Sequence, residues 1–391
     1  MIRFVIVLAW AALLVACHSG VSELNNAEQI SRSISKQFIP DTREDLYKIQ
    51  FKNEGSALVV LGETTNAEAR QALLAALVSA KYNLVDSVRL LPDRSLGNTI
   101  WGLVNISVCN VRTAPGHDAE MATQAILGTP VRLLKKQNHW TLIQTPDRYI
   151  GWVDDDALFQ TDSAGMASWR NSKKTFYLPV AGTGYDPSTK EAVTDLVAGS
   201  ILKLVETTKN ESVLEMPDGR RLAIPVGDGM DFDQWKMNPA NSPFELSKYS
   251  KTLMGRPYLW GGTSTKGIDC SGFVKTVYFL NGIILARDAS LQFRHGVFTE
   301  PQSGYTKLKE GDLVFFGRKA DGDRPAKATH VGFYLGNGSY IHSSGFVRIN
   351  SFDPEQKNFS KARADNWLGG RTILGSEGKS GIVRVKDHPW Y

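Results

Sequence analysis

The chain has 391 residues, 42% of them hydrophobic and 22% charged, which are ordinary globular values. That length exceeds what a single core usually organises, so about two to four domains are expected. A formal net charge of +5, from 45 Lys and Arg against 40 Asp and Glu, is mild, and the basic residues are scattered. No stripe of them could track phosphates, which argues against nucleic acid as a partner.

In chain order, the first segment is "MIRFVIVLAWAALLVAC". One early charge, Arg3, precedes an apolar run from Phe4 to Cys17 that falls short of the ~20 residues needed to span a bilayer, so it reads as a secretory signal. Its end, Leu14-Val15-Ala16-Cys17, resembles the lipobox of bacterial lipoproteins. The resemblance implies that residues 1–17 are a lipoprotein signal whose Cys17 is acylated, and that the protein is exported and membrane-anchored in the cell envelope. A signal that merely contains a cysteine is the alternative. With Cys17 modified, Cys109 and Cys270 are the only pair left for a disulfide. Cys109 lies in the alternating run "NISVCNV", where a small buried thiol fits a strand.

Residues 24–98 read as a small α+β unit. "AEQISRSISKQF" has helical spacing, "EDLYKIQFK" and "SALVVLGE" flank the turn at Asn53-Glu54-Gly55, and "YNLVDSVRLLP" is a third strand. Between them "TNAEARQALLAALVSA" is a strong helix with Thr65 and Glu68 in capping-box spacing. From 99 to 165 short apolar or alternating runs follow at close intervals, the pattern of a small β-barrel. Residues 166–235, through "KTFYLPV", "SILKLVETT", "ESVLEMPDG" and "RRLAIPV", suggest a second barrel. The prolines and turn formers of "DQWKMNPANSPF" read as a linker, placed at 236–244. The last domain, 245–391, begins as helix, loop, helix and continues in strands, with a tail after Leu374 that starts flexible and ends aromatic.

Chemistry concentrates in that last domain. In "IDCSGFVKTVYFLNGI", Phe273, Val274, Val277, Tyr278 and Leu280 share one helical face and Asn281-Gly282 ends it. Cys270 therefore sits at a helix N-terminus, where free amides and the dipole favour a thiolate. A dipole alone does not ionise a thiol at neutral pH, so a histidine is required as well. "THVGFYLGNGSYIHSSG" supplies two, His330 and His342, in a β-hairpin running from Thr329 to Leu335 and from Ser339 to His342. Strand side chains alternate, so a three-residue loop, Gly336-Asn337-Gly338, puts the two imidazoles on one face with Gly332 opposite His342. A two-residue loop would separate them. On that register His330 would take the thiol proton and His342 would fix its tautomer.

Two resemblances follow. "NVRTAPGHDAEMATQAILGTPVRLL" with "WTLIQTPDRYIGWVDDDAL" resembles the bacterial SH3-like domains attached to cell-wall enzymes. "RPYLWGGTSTKGIDCSGF", "RDASLQF", "LKEGDLVFFG" and "ATHVGFYLGNGSYIHSS" resemble the NlpC-type cell-wall cysteine peptidases, over roughly residues 245 to 374. Together they imply a multidomain α+β protein in which a papain-like catalytic domain follows two SH3-like barrels and a small N-terminal α+β unit. They imply Cys270 as nucleophile, His330 as base, His342 as orienting residue and Tyr258 as oxyanion donor. The SH3-plus-peptidase combination resembles the γ-D-glutamyl-L-diamino acid endopeptidases of dipeptidyl-peptidase VI type, which act on peptidoglycan stem peptides with a free N-terminal L-alanine. By that resemblance Glu120, Tyr149 and Asp269 would meet the alanine amine, while Ser271 and Ser290 would hold the D-glutamate carboxylate. The bland readings are a solvated Glu120, a core Tyr149 and an Asp269 that caps its helix. Asp288 reads as a structural ion-pair partner. His18, His117, His139, His295 and His388 have no metal-ligand spacing, and no metal or cofactor is expected. Two other functions remain open: a non-catalytic peptidoglycan-binding lipoprotein, and an amidase or endopeptidase acting on another wall amide bond.

Overall fold

The computed structural model describes residues 24–239 and 242–391, so Cys17 and the middle of the expected linker lie outside the described residues. The chain divides into two compact units, Met1–Gly97 and Asn98–Tyr391. In the first, a helix at 24–38 precedes the strands Tyr47–Glu54 and Ala57–Thr64, which pair antiparallel around Gly55 and Ser56. The helix Ala67–Ser79 then crosses to the strand Leu84–Leu90, parallel to Ala57–Thr64. Leu58, Val60, Leu73, Leu77 and Val88 close its core with Ala27. The helix cap is Asn66, whose side chain accepts from the Ala69 amide at 2.8 Å, rather than Thr65. Thr65 is committed elsewhere, since its hydroxyl accepts from the Leu46 amide and donates to Asp45.

The second unit opens with two seven-stranded antiparallel sheets built from 101–161 and 174–231. Numbered from each sheet's own first strand, both have the spatial order seven, one, four, five, six, two, three. The second module therefore repeats the first strand for strand. They interlock: Leu127 of the first packs among Tyr177, Leu196, Leu202 and Leu222 of the second, and Asn105 donates to Asp218 at 2.8 Å.

The residues just before the expected linker are core. The helix Phe232–Met237, capped by Asp231, buries Phe232 and Trp235. Trp235 stacks on Phe176 at a centroid distance of 3.8 Å and donates its indole N–H to the Leu280 carbonyl at 3.2 Å. The C-terminal tail docks on the same cluster. Ile382–Arg384 pairs with Ile283–Leu285, Tyr391 packs near Phe232 and Phe279, and Trp390 meets Trp101 edge-on at 5.3 Å.

The rest is one sheet and its helices. Six antiparallel strands lie in the order Val297–Thr299, Trp367–Thr372, Leu313–Arg318, Lys327–Gly336, Ser339–Ser344, Phe346–Ser351. Alternation sorts the side chains. Leu313, Phe315, Val331, Phe333, Ile341 and Val347 pack against Phe273, Val274 and Val277 of the helix Cys270–Leu280. Val314, Phe316, Tyr334, Tyr340, Phe352 and Trp367 form a second cluster.

The central hairpin reaches the expected alignment by a different turn. Gly336 pairs with Ser339 across a two-residue turn in which Asn337 and Gly338 both have positive φ, 49° and 74°, as a tight primed hairpin requires. Such a turn alone would place the histidines on opposite faces. A bulge between Tyr334 and Gly336 adds one residue, Leu335, and restores the parity, so that Phe333 pairs with Ile341. The ladder ends at that pair, and His330 and His342 lie beyond it.

Candidate active site

Asp269 is the cap of the helix Cys270–Leu280, its carboxylate accepting from the Gly272 amide at 2.7 Å. The same carboxylate accepts from the Gly261 amide at 3.0 Å and from both arms of Arg287, at 2.5 and 3.2 Å. Arg287 is 1% exposed. Its Nη1 also donates to the Ser271 hydroxyl at 2.9 Å, and its Nε donates to Thr123 of the first module at 2.9 Å. Burial opposes this guanidinium's charge, but Asp269 more than offsets it and holds the proton firmly. Gln292, fully buried, donates to the carbonyls of Ser271 and Ala286. The helix end carrying Cys270 is thus fixed from several directions.

The first module approaches this end closely. Gly261, at φ +77°, lies so near the Met121 carbonyl that a Cβ would sit 2.2 Å from its oxygen, which only glycine avoids. Thr263 and Gln124 exchange three hydrogen bonds of 2.9 to 3.2 Å. Glu120 is exposed and accepts from the Trp260 indole at 2.7 Å. Tyr149 is buried, packs with Ala286 and Leu291, and donates its hydroxyl to Asp288 at 3.1 Å. Asp288 is therefore a partner of the tyrosine as well as a neighbour of Arg287. Ser290 is half-buried on the short helix Ala289–Gln292 that follows. Of the residues expected to meet an amine, Asp269 has its carboxylate engaged by four residues, whereas Glu120 faces solvent. Ser271 already donates to Asp269 at 3.2 Å.

His330 and His342 meet directly. Gly332 faces His342, and a Cβ there would stand 2.9 Å from the His342 Cβ, so its absence lets the rings close. His330 Nε2 lies 2.6 Å from His342 Nδ1, with the rings edge to face at 4.9 Å. A residue missed in the sequence completes the chain: His342 Nε2 lies 2.8 Å from Asn350 Oδ1. Asn350 Nδ2 donates to the Asn358 carbonyl at 2.8 Å, which orients the amide with its oxygen toward the imidazole. An oxygen accepts only, so His342 carries its proton on Nε2 and accepts at Nδ1. His330 therefore donates from Nε2, leaving Nδ1 as a lone pair. Asn350 is eight residues beyond His342 and on the same strand parity, but only the second hairpin, around Gly345, brings it alongside; Tyr340 pairs with Asn350 and His342 with Arg348.

Burial sets the protonation states. Cys270 is 7% exposed, and burial, reinforced by the Asp269 carboxylate, pushes its thiol up to about 11 against the pull of the Val331 and Ser271 amides and Arg287. This differs from the expectation of a dipole-lowered thiol, because burial, and after it the Asp269 carboxylate at the helix end, outweigh the amides that favour the thiolate. Burial with the charge of Arg363 holds His330 well below the usual range, and burial lowers His342 to about 4 although Asn350 opposes the shift. Thiol and imidazoles are thus neutral at rest. Tyr258 is half-buried; burial, with Cys270 and Asp269 nearby, raises its hydroxyl pKa, so it keeps its proton to donate. Cys109 is a free, buried thiol raised by burial to about 12, and Cys270 is free too.

Comparison with known proteins agrees with this geometry. Residues 255–365 match the NlpC/P60 family, and residues 111–158 match the bacterial dipeptidyl-peptidase SH3 domain. A γ-D-glutamyl-L-lysine dipeptidyl-peptidase of Bacillus cereus is 28% identical over 302 residues, covering 75% of this chain and 84% of the relative. A dipeptidyl-peptidase 6 of Lysinibacillus sphaericus is 29% identical over 272 residues, 65% of this chain and 92% of the relative. The crystal structure of an NlpC/P60 family protein from Bacillus cereus superposes with a TM-score of 0.59 at 23% identity, covering 70% of this chain and 99% of that one. The chain therefore carries an NlpC/P60 family domain behind a bacterial dipeptidyl-peptidase SH3 domain, with Cys270 at the helix end against the Val331 amide, the residue after His330.

Proposed function

We propose that this chain is a cysteine peptidase that hydrolyses the γ-D-glutamyl-L-diamino acid bond of peptidoglycan stem peptides bearing a free N-terminal L-alanine. The observation that carries the reading is the ordered series from Asn350 through His342 to His330, which leaves a basic nitrogen on His330 for the thiol proton. Cys270, His330 and His342 take the roles of nucleophile, base and orienting residue. The thiol proton passes to His330 as the sulfur bonds to the γ-carbonyl carbon, and the Cys270 amide and Tyr258 hydroxyl stabilise the oxyanion. His330 then gives that proton to the leaving amine as the C–N bond breaks. Water, deprotonated by His330, cleaves the thioester and releases L-Ala-γ-D-Glu.

The substrate's amine is placed at Glu120 and Tyr149. Glu120 is the exposed carboxylate of the first module and reaches the peptidase domain through Trp260. Asp269 contributes through the field of its pair with Arg287, and Ser271 and Ser290 are assigned to the D-glutamate side. The names of the relatives, a γ-D-glutamyl-L-lysine dipeptidyl-peptidase and a dipeptidyl-peptidase 6, support the reading over a purely wall-binding role. L-Ala-γ-D-Glu-L-Lys should be cut to dipeptide and lysine while its N-acetyl form is cut at least about tenfold more slowly, as expected when a hydrogen bond between charged groups is lost. Equal turnover of the two would remove the free-amine requirement.

Because thiol and imidazole rest neutral, ionisation accompanies attack. Alkylation of Cys270 by iodoacetamide should rise about tenfold per pH unit from pH 6 to 9, following the thiolate fraction below a pKa of about 11. A rate that is flat across that interval would mean a preformed thiolate–imidazolium pair. We also propose export with a lipid on Cys17, on the support of the apolar run and the four residues that end it. Expressed in a lipoprotein-processing bacterium, the wild type should partition with membranes and Cys17→Ala should not; equal partitioning would overturn the anchor.

A further inference from the structure

The two ends of the site differ in charge. Toward the first module lie Glu120, Asp269 and Asp288, and the cation there, Arg287, is engaged by Asp269. On the histidine side stand two arginines with no acidic partner: among the described residues, no carboxylate lies within ion-pair distance of Arg348 or Arg363. Arg363, half-buried on the short helix Lys361–Asp365, lies over the Phe316 ring at 5.6 Å and donates to the Ser344 hydroxyl at 3.5 Å. Phe316 in turn packs on His330 at a centroid distance of 5.8 Å. Arg348 pairs directly across the ladder from His342, on the same face, and lies exposed over Phe346 at 5.5 Å. The field of Arg363 reaches Cys270, Tyr258 and both histidines.

Two cations beside a base disfavour the imidazolium that the reaction must form, so their position opposes the chemistry unless a substrate anion neutralises them. The leaving amine must sit at His330, since that residue protonates it. Groups on the histidine side away from the first module therefore face the leaving half of the substrate. We propose that Arg363 and Arg348 form the subsite for the leaving diamino acid and recognise its carboxylates, Arg363 taking the α-carboxylate and Arg348 a carboxylate on the side chain. This deepens the hydrolase reading and rests on it. It assigns the preferred leaving group to the dicarboxylic diamino acids, of which meso-diaminopimelate is one, over lysine. An anion there would also offset the part that the arginines add to burial in disfavouring the imidazolium, so that binding the correct leaving group makes proton transfer from Cys270 easier.

The test measures kcat and KM for four substrates: L-Ala-γ-D-Glu-L-Lys, its C-terminal carboxamide, the meso-diaminopimelate tripeptide, and the tripeptide with D-isoglutamine replacing D-glutamate. Wild type should prefer the free acid over the carboxamide by about tenfold or more in kcat/KM, as a charge-assisted fork implies, mainly through KM. It should prefer diaminopimelate over lysine. Arg363→Gln should bring the acid-to-amide ratio close to one, with Arg363→Lys keeping part of it, and Arg348→Gln should erase the diaminopimelate preference. The isoglutamine substrate should keep its sensitivity to Arg363→Gln. If it loses that sensitivity, the carboxylate belongs to the acyl half and the assignment is wrong. An unchanged ratio in Arg363→Gln, or an equal loss on acid and amide, would likewise overturn it. Failure of the wild type on all four substrates would instead reject the hydrolase reading, and this subsite with it.

Discussion

Asp269 and Arg287 stand 2.5 Å apart with almost no solvent contact, and two charges are costly to bury unless each finds several partners. Here each does. The carboxylate closes the first turn of the helix that bears Cys270 and holds the Gly261 amide, while the guanidinium reaches Ser271 and Thr123. One pair thereby couples the helix that begins at Cys270, the loop before it and the neighbouring SH3 module. On the proposed reading, in which a peptide lies between the two, such a joint is needed because a shift of about 1 Å is enough to spoil an attack geometry.

The same pair shapes the reactivity of the thiol. A helix N-terminus ordinarily favours an anion, but Asp269 already occupies that position, and burial adds to the cost of a second negative charge. Burial and the two arginines likewise disfavour the imidazolium. The resting site is consequently short of charge separation on both sides, and what remains organised is a direction for proton movement, fixed at its far end by the Asn350 amide. A series of neutral hydrogen bonds of this kind leaves the buried thiol little reactivity until a substrate is in place.

Much of this was legible in the sequence because the signals were local. The helix after Cys270 announced itself through Phe273, Val274 and Val277, and the alternation through His330 and His342 identified their strands. What escaped was set by parity and by distant partners. The hairpin turn is one residue shorter than expected, and the Leu335 bulge compensates, so that the right pairing follows from two departures that cancel. Asn350 reaches His342 only through a second turn, and Arg287, 18 residues beyond Asp269, meets it only in the fold. Trp235 and the C-terminal tail meet in one cluster with Phe176, Phe279 and Ile284, a joining of distant segments that no local pattern announces.

The most direct measurement is a double-mutant cycle on Asp269 and Arg287, with unfolding of the Asn98–Tyr391 unit followed in denaturant for Asp269→Asn, Arg287→Met and the combination. If the pair holds the helix end as described, each single change should cost ~3 to 5 kcal/mol because it strands a buried charge, and the double should cost at least about 2 kcal/mol less than the sum. Additive losses, or single losses below about 1 kcal/mol, would contradict it.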